Sequence, residues 1–183
     1  MDKRAVILLA EGFEEIEAVT CIDILRRAGV KITISGLNSL AIEGSRKITI
    51  KAEKKLNQVS SDYDAIILPG GMPGAENLAK SDQVKTLLKK AENQGKIIAA
   101  ICAAPAIVLS PLGILDNKTA TCYPGMEENF SKTTTYKTKE VVTDGKIITS
   151  QGPATAMQFA LKIVEKLLGK KISDKVAKAA LFI

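Results

Sequence analysis

Of the three cysteines in the chain, Cys102 stands where a nucleophile would be placed. In Lys96-Ile-Ile-Ala-Ala-Ile-Cys102-Ala-Ala-Pro105-Ala-Ile-Val, an apolar run that reads as a buried strand gives way at once to a helical pattern, and Cys102 falls on the turn. Such an elbow lifts a side chain above the carboxyl edge of a sheet and often strains its backbone. Ala100, Ala103 and Ala104 are small enough for the chain to pass tightly, and Pro105 suits a first helical turn, where no N–H is needed. A thiol facing unpaired N–H groups at a helix start is expected to ionise easily and react readily. The local pattern equally describes a small apolar residue ending a buried strand, since free cysteine is among the most buried residue types.

Two further segments can converge on that edge. Leu68-Pro-Gly-Gly-Met-Pro-Gly74 follows an apolar strand pattern. Glycines there let backbone N–H groups approach a bound oxygen, so Gly70 and Gly71 could join Ala103 in stabilising an oxyanion; taken singly, the segment also reads as an ordinary glycine-rich turn. In Glu11-Gly-Phe-Glu-Glu-Ile-Glu17 the acids open a helix, where they usually serve the helix dipole. Glu17 lies three residues beyond Glu14 and so can face the sheet edge while Glu15 faces water. The chain has no histidine, which removes every Cys-His and Ser-His mechanism and leaves a carboxyl as the proton carrier for a thiol.

The elements that must position these residues alternate along the chain. Ala5–Ala10, Val30–Ser35, Ala65–Leu68, Lys96–Ile101, Thr119–Cys122 and Lys146–Ser150 read as strands, several apolar on both faces. Helical patterns cover Glu14–Ala28, with Ile16, Val19, Cys21 or Ile22, and Leu25 as apolar positions. Others run from a Ser81 N-cap to Gly95, from Pro153 to Leu168 and from Ser173 to Ala180. Asp144-Gly145 marks a tight hairpin between Val141-Val142 and Ile147-Ile148. Doubly apolar strands between amphipathic helices predict an α/β fold with a mostly parallel sheet covered on both faces, in one domain over residues 1–183.

At 183 residues, 46% hydrophobic and 25% charged, the chain has the composition of an ordinary globular protein. The net charge of +6 comes from scattered lysines, and with 4% aromatics and no Trp there is no stacking platform for nucleic acid. No apolar run reaches a membrane span, and Met1-Asp-Lys-Arg lacks a signal-peptide pattern, so the expected location is the cytosol. Cys21, Cys102 and Cys122 are too widely spaced for a zinc site or a disulfide framework, and no metal or cofactor is expected.

Gly12-Phe-Glu-Glu-Ile-Glu17, Leu68-Pro-Gly-Gly71 and Ala99-Ala-Ile-Cys-Ala-Ala-Pro105, in this order, resemble the ThiJ/PfpI superfamily, specifically its DJ-one (parkinsonism-linked protein deglycase) branch. The likeness extends through Asp23–Gly29, Thr149–Pro153 and Phe159–Glu165. It implies a flavodoxin-like sandwich, a homodimer, an oxidisable nucleophile at Cys102 and a glutamic acid at Glu17 bonded to its sulfur. Backbone donors are implied at Gly70, Gly71 and Ala103. Arg46, and Arg27 from the partner subunit, match anion-binding positions near the dimer interface. The peptidase-like branch has a histidine after its cysteine; Ala103 stands here, which argues against a peptidase. Relatives often carry a histidine before a proline opposite the thiol, where this chain has Cys122-Tyr123-Pro124. Tyr123 could supply a hydroxyl there, or Cys122 could resolve an oxidised Cys102. The resemblance implies a cofactor-free enzyme acting on reactive dicarbonyls or their early adducts, of glyoxalase III or deglycase type. The alternative is a cysteine-based oxidative-stress sensor or chaperone. A role in thiamine biosynthesis has no support in these residues.

Overall fold

The computed structural model describes residues 2–183. In chain order the strands are β1 (Arg4–Leu9), β2 (Lys31–Gly36), β3 (Ala41–Glu43), β4 (Thr49–Lys51), β5 (Lys54–Lys55), β6 (Ala65–Leu68), β7 (Ile97–Ile101), β8 (Thr119–Ala120), β9 (Thr135–Tyr136), β10 (Val141–Asp144) and β11 (Ile147–Ser150). The helices are α1 (Glu15–Arg27), α2 (Gly74–Lys80), α3 (Asp82–Asn93), α4 (Ala156–Leu168) and α5 (Lys170–Ala179). Seven strands form one sheet in the order β10-β11-β7-β6-β1-β2-β5, parallel except for β10, which the Asp144-Gly145 turn folds back onto β11.

The central strands are buried along their lengths because both faces are covered. Ala5, Ile7 and Leu9 of β1 pack with α1, α4 and α5 around Phe13 and Phe159. Val6 and Leu8 face α2, α3 and the segment after β7. This two-layered cover is the α/β sandwich that the alternating pattern predicts. Ser81 caps α3 as expected, its hydroxyl accepting the Val84 N–H at 3.3 Å.

Several local expectations fail for identifiable reasons. Ile16 and Val19 of α1 point outward at 56% and 48% exposure, while Glu15 and Glu17 point inward. The predicted strand Thr119–Cys122 is only the two residues of β8, paired with β9 apart from the main sheet. Beyond it the Thr121 N–H goes to Thr149 Oγ1 (2.9 Å) and the Tyr123 N–H to the Cys102 carbonyl (2.9 Å), so side-chain and loop partners replace the ladder. The helix expected directly after Cys102 is a π turn over Pro105–Leu109 followed by a 3-10 turn over Ser110–Leu112. Pro111 lacks the N–H that would continue an α-helical ladder. The last helix starts three residues earlier than predicted, directly after Gly169, whose φ is +92°. The β3-β4 hairpin and α2 have no counterpart in the sequence-based expectation.

Candidate active site

Cys102 follows β7 with φ +63°, a left-handed conformation that costs a non-glycine residue about 1 kcal/mol or more. The surroundings hold it there. Its N–H donates to the Ser150 carbonyl at the end of β11, and its own carbonyl accepts the Tyr123 N–H, both at 2.9 Å. Gly70, after the neighbouring strand β6, supplies the room: a Cβ at that position would lie 2.6 Å from the Cys102 Cβ and 3.0 Å from its Sγ.

Glu17 reaches the same point from α1 and is fully buried. Its Oε2 accepts the Gly70 N–H at 2.7 Å, while Oε1 has no nitrogen or oxygen partner among the described residues. The Cys102 thiol lies close enough to the carboxyl to act on its ionisation. Burial pushes the Glu17 carboxyl up to about 7, against the Gly70 amide and the Cys102 thiol, which favour its charged form.

The expectation of a thiol lowered by its turn needs correction. Burial, then the charge of Glu17, push the Cys102 thiol up to about 12, outweighing the Gly71 and Ala103 amides that pull it down. The short π turn offers no extended helix dipole to reverse this. Sulfur and carboxyl are therefore coupled, since two adjacent buried negative charges oppose each other. Protonating Glu17 removes the repulsion and turns the carboxyl from an acceptor into an O–H donor toward sulfur.

Gly70 also departs from expectation, because its N–H is committed to Glu17; the Gly71 and Ala103 amides are the ones that favour a charged sulfur. Cys122 is wholly buried, its thiol pushed up to about 12 chiefly by burial, and it does not line the cleft above Cys102. Tyr123 does, half-exposed, with its ring over Gly152. The cleft holds about 560 Å³ between a polar wall of Glu14, Ser45 and Arg46 and an apolar wall that includes Met72, Met126 and Pro153. Arg27 lies elsewhere in its own chain, donating to Asp23 at 2.7 Å one helical turn back.

The DJ-1/PfpI family profile matches residues 3–166. The chain belongs to the DJ-1/PfpI family. It is 45% identical to Protein dj-1beta of Drosophila melanogaster, over 99% of this chain and 98% of that protein. The crystal structure of Drosophila melanogaster DJ-1beta superimposes with a TM-score of 0.95 at 44% identity, covering 99% of this chain and 98% of that one. A further relative at 35% identity, covering 96% of this chain and 95% of its own length, is the glutathione-independent glyoxalase DJR-1.2 of Caenorhabditis elegans. Membership of the DJ-1/PfpI family and its flavodoxin-like sandwich agree with the resemblance carried by the three motifs.

Two residues of this DJ-1/PfpI site are missed by sequence reasoning. Helical spacing puts Glu15 in water, yet it is 4% exposed and binds the loop between β3 and β4. Ser45, on that loop, has no neighbouring sequence signal beyond the small pair Gly44-Ser45. No helix among the described residues is long and apolar enough to cross a membrane.

Proposed function

We propose that this protein is a cofactor-independent cysteine enzyme that converts reactive dicarbonyls such as methylglyoxal, or their early adducts with amines and thiols, to hydroxy acids. The observation that carries the reading is the buried Glu17 carboxyl, with one oxygen anchored to Gly70 and the other lacking a nitrogen or oxygen partner, beside a clamped thiol in an open cleft. The glyoxalase name of the Caenorhabditis elegans relative supports the same class of chemistry.

The Cys102 thiolate attacks the aldehyde carbon, forming a C–S bond as the carbonyl electrons move to oxygen. The Gly71 and Ala103 amides stabilise the developing oxyanion, which takes the Glu17 proton to give a hemithioacetal. The resulting carboxylate removes the proton from that carbon to give an enediol and returns it to the neighbouring carbon, while the hydroxyl proton passes to the neighbouring oxygen, converting the hemithioacetal to a thioester. Water cleaves the thioester, releasing the hydroxy acid and regenerating the thiol. An acid near neutrality suits both halves of this shuttle, and burial pushes Glu17 up to about 7.

Purified protein should form lactate from methylglyoxal without glutathione. Absence of lactate, with the protein folded and its thiol reduced, overturns the proposal.

The active unit we infer is a homodimer. Ile16 and Val19 of α1 are exposed, and so is Ile48, whose N–H is tied to α1 through Glu15 at 3.4 Å. A second copy would cover this apolar area and could bring its own Arg27 toward the anionic end of a substrate. Sedimentation at the mass of one chain at micromolar concentration would refute the dimer.

A further inference from the structure

Glu15 takes no part in the chemistry assigned to Cys102 and Glu17, yet it is 4% exposed, and a carboxylate so enclosed requires specific partners. Its Oε1 accepts the Arg46 N–H at 2.6 Å and the Ile48 N–H at 3.4 Å, and its Oε2 shares the Ser45 hydroxyl with the Glu14 carboxylate, each at 3.2 Å. All three donors lie on the loop between β3 and β4. Gly44 admits the carboxylate, since a Cβ there would sit 2.3 Å from Oε1. Burial works to raise the Glu15 carboxyl, but the Arg46 and Ile48 amides and the Ser45 hydroxyl prevail and hold it below the usual value.

The loop held in this way supplies Ser45 and Arg46 to the Cys102 cleft. Arg46 is exposed, and among the described residues its guanidinium pairs with no carboxylate. Gly12 N–H to the Glu43 carbonyl and Ser45 N–H to the Phe13 carbonyl, both 2.8 Å, attach the loop to the body, and Gly44 N–H to the Ile48 carbonyl (2.9 Å) and Lys47 N–H to the Gly44 carbonyl (3.1 Å) close the turn, while the N–H of Arg46 itself is taken by Glu15.

We propose that Glu15 is a positioning residue: by fixing the Ser45-Arg46 backbone it sets the Arg46 cation at the cleft mouth, so that Cys102 favours carbonyl compounds that carry an anionic group. This rests on Cys102 being the reacting atom, as proposed above.

Alkylation separates this inference from the dicarbonyl reading, because iodoacetate and iodoacetamide differ mainly in charge. With either reagent the sulfur displaces iodide and forms an S–CH2 bond. The rate ratio of iodoacetate to iodoacetamide at Cys102 therefore reads the local cation, whether or not methylglyoxal is turned over. Arg46→Gln is expected to lower that ratio about three- to fivefold, the scale of one partly screened charge. Glu15→Ala is expected to match it, the double variant to fall no further, and Glu15→Gln, which keeps an acceptor for the Arg46 N–H, to stay within about twofold of the parent. A merely structural role would change both rates and leave their ratio intact. Should Glu15→Ala fail to fold, Gly44→Ala tests the same contact from the loop side and is expected to lower the ratio equally. A parental ratio in Glu15→Ala or Gly44→Ala, or in Arg46→Gln, overturns the proposal.

Discussion

Glu17→Gln is expected to stabilise the protein at pH 8 while removing its turnover. The folded carboxyl is raised from 4.5 to about 7, chiefly by burial. As pH climbs through that window the unfolded chain releases this proton while the folded chain retains it, so stability falls across the window and levels above about 7. Every tenfold gain in proton affinity on folding is worth about 1.4 kcal/mol, which puts the loss at about 3 kcal/mol. A glutamine cannot ionise. Its amide oxygen can still accept the Gly70 N–H, and its NH2 can donate to sulfur as the protonated acid does. The unfolding midpoint of the variant at pH 8 should exceed the parent's by about 5–10 °C, with the difference vanishing near pH 4. Methylglyoxal turnover should fall by about 10²–10⁴, because the amide cannot carry a proton between carbons. Thermal scans from pH 4 to 8 check the first part; parallel curves for the two proteins would show that Glu17 is not held neutral by the fold.

Cys102→Ala should reduce methylglyoxal turnover at least about 10³-fold. Its unfolding midpoint should change little, because a half-buried thiol contributes little packing and alanine keeps the same strained φ. Cys102→Ser sharpens the comparison. The hydroxyl fits the same clamp but ionises far less readily than a thiol, so it too should be inactive. Lactate formation that survives in the alanine variant would move the nucleophile elsewhere in the molecule.

Some of this site is legible in residues alone. The elbow is visible because an apolar strand, three alanines and a proline leave few ways for the chain to turn, and Cys102 does adopt the left-handed backbone such a turn demands. Glu17 is placed correctly because helical spacing separates it from its neighbours. The same periodicity misassigns Ile16 and Val19, since an apolar residue on an exposed helix face reads the same in sequence as one facing the interior. It misassigns Glu15 too, whose partners lie about thirty residues away on a hairpin built from strands of three residues each, too short to show alternation. The glycine-rich turn announces close backbone approach but not direction. That Gly70 serves Glu17 while Gly71 serves the sulfur depends on torsions that composition does not encode. The thiol's ionisation is likewise a property of a pair and is invisible from the elbow alone.

The backbone of the elbow is closed by residues well beyond it in the chain, Tyr123 and Ser150. During synthesis both emerge from the ribosome after Cys102, so until most of the chain has been made the sulfur sits on an unclamped segment with the solution chemistry of any cysteine. The folded site pushes the Cys102 thiol up to about 12, so a closed elbow and an unclamped chain differ in how fast that sulfur is labelled, and the labelling rate becomes a gauge of how much of a sample has reached its native form.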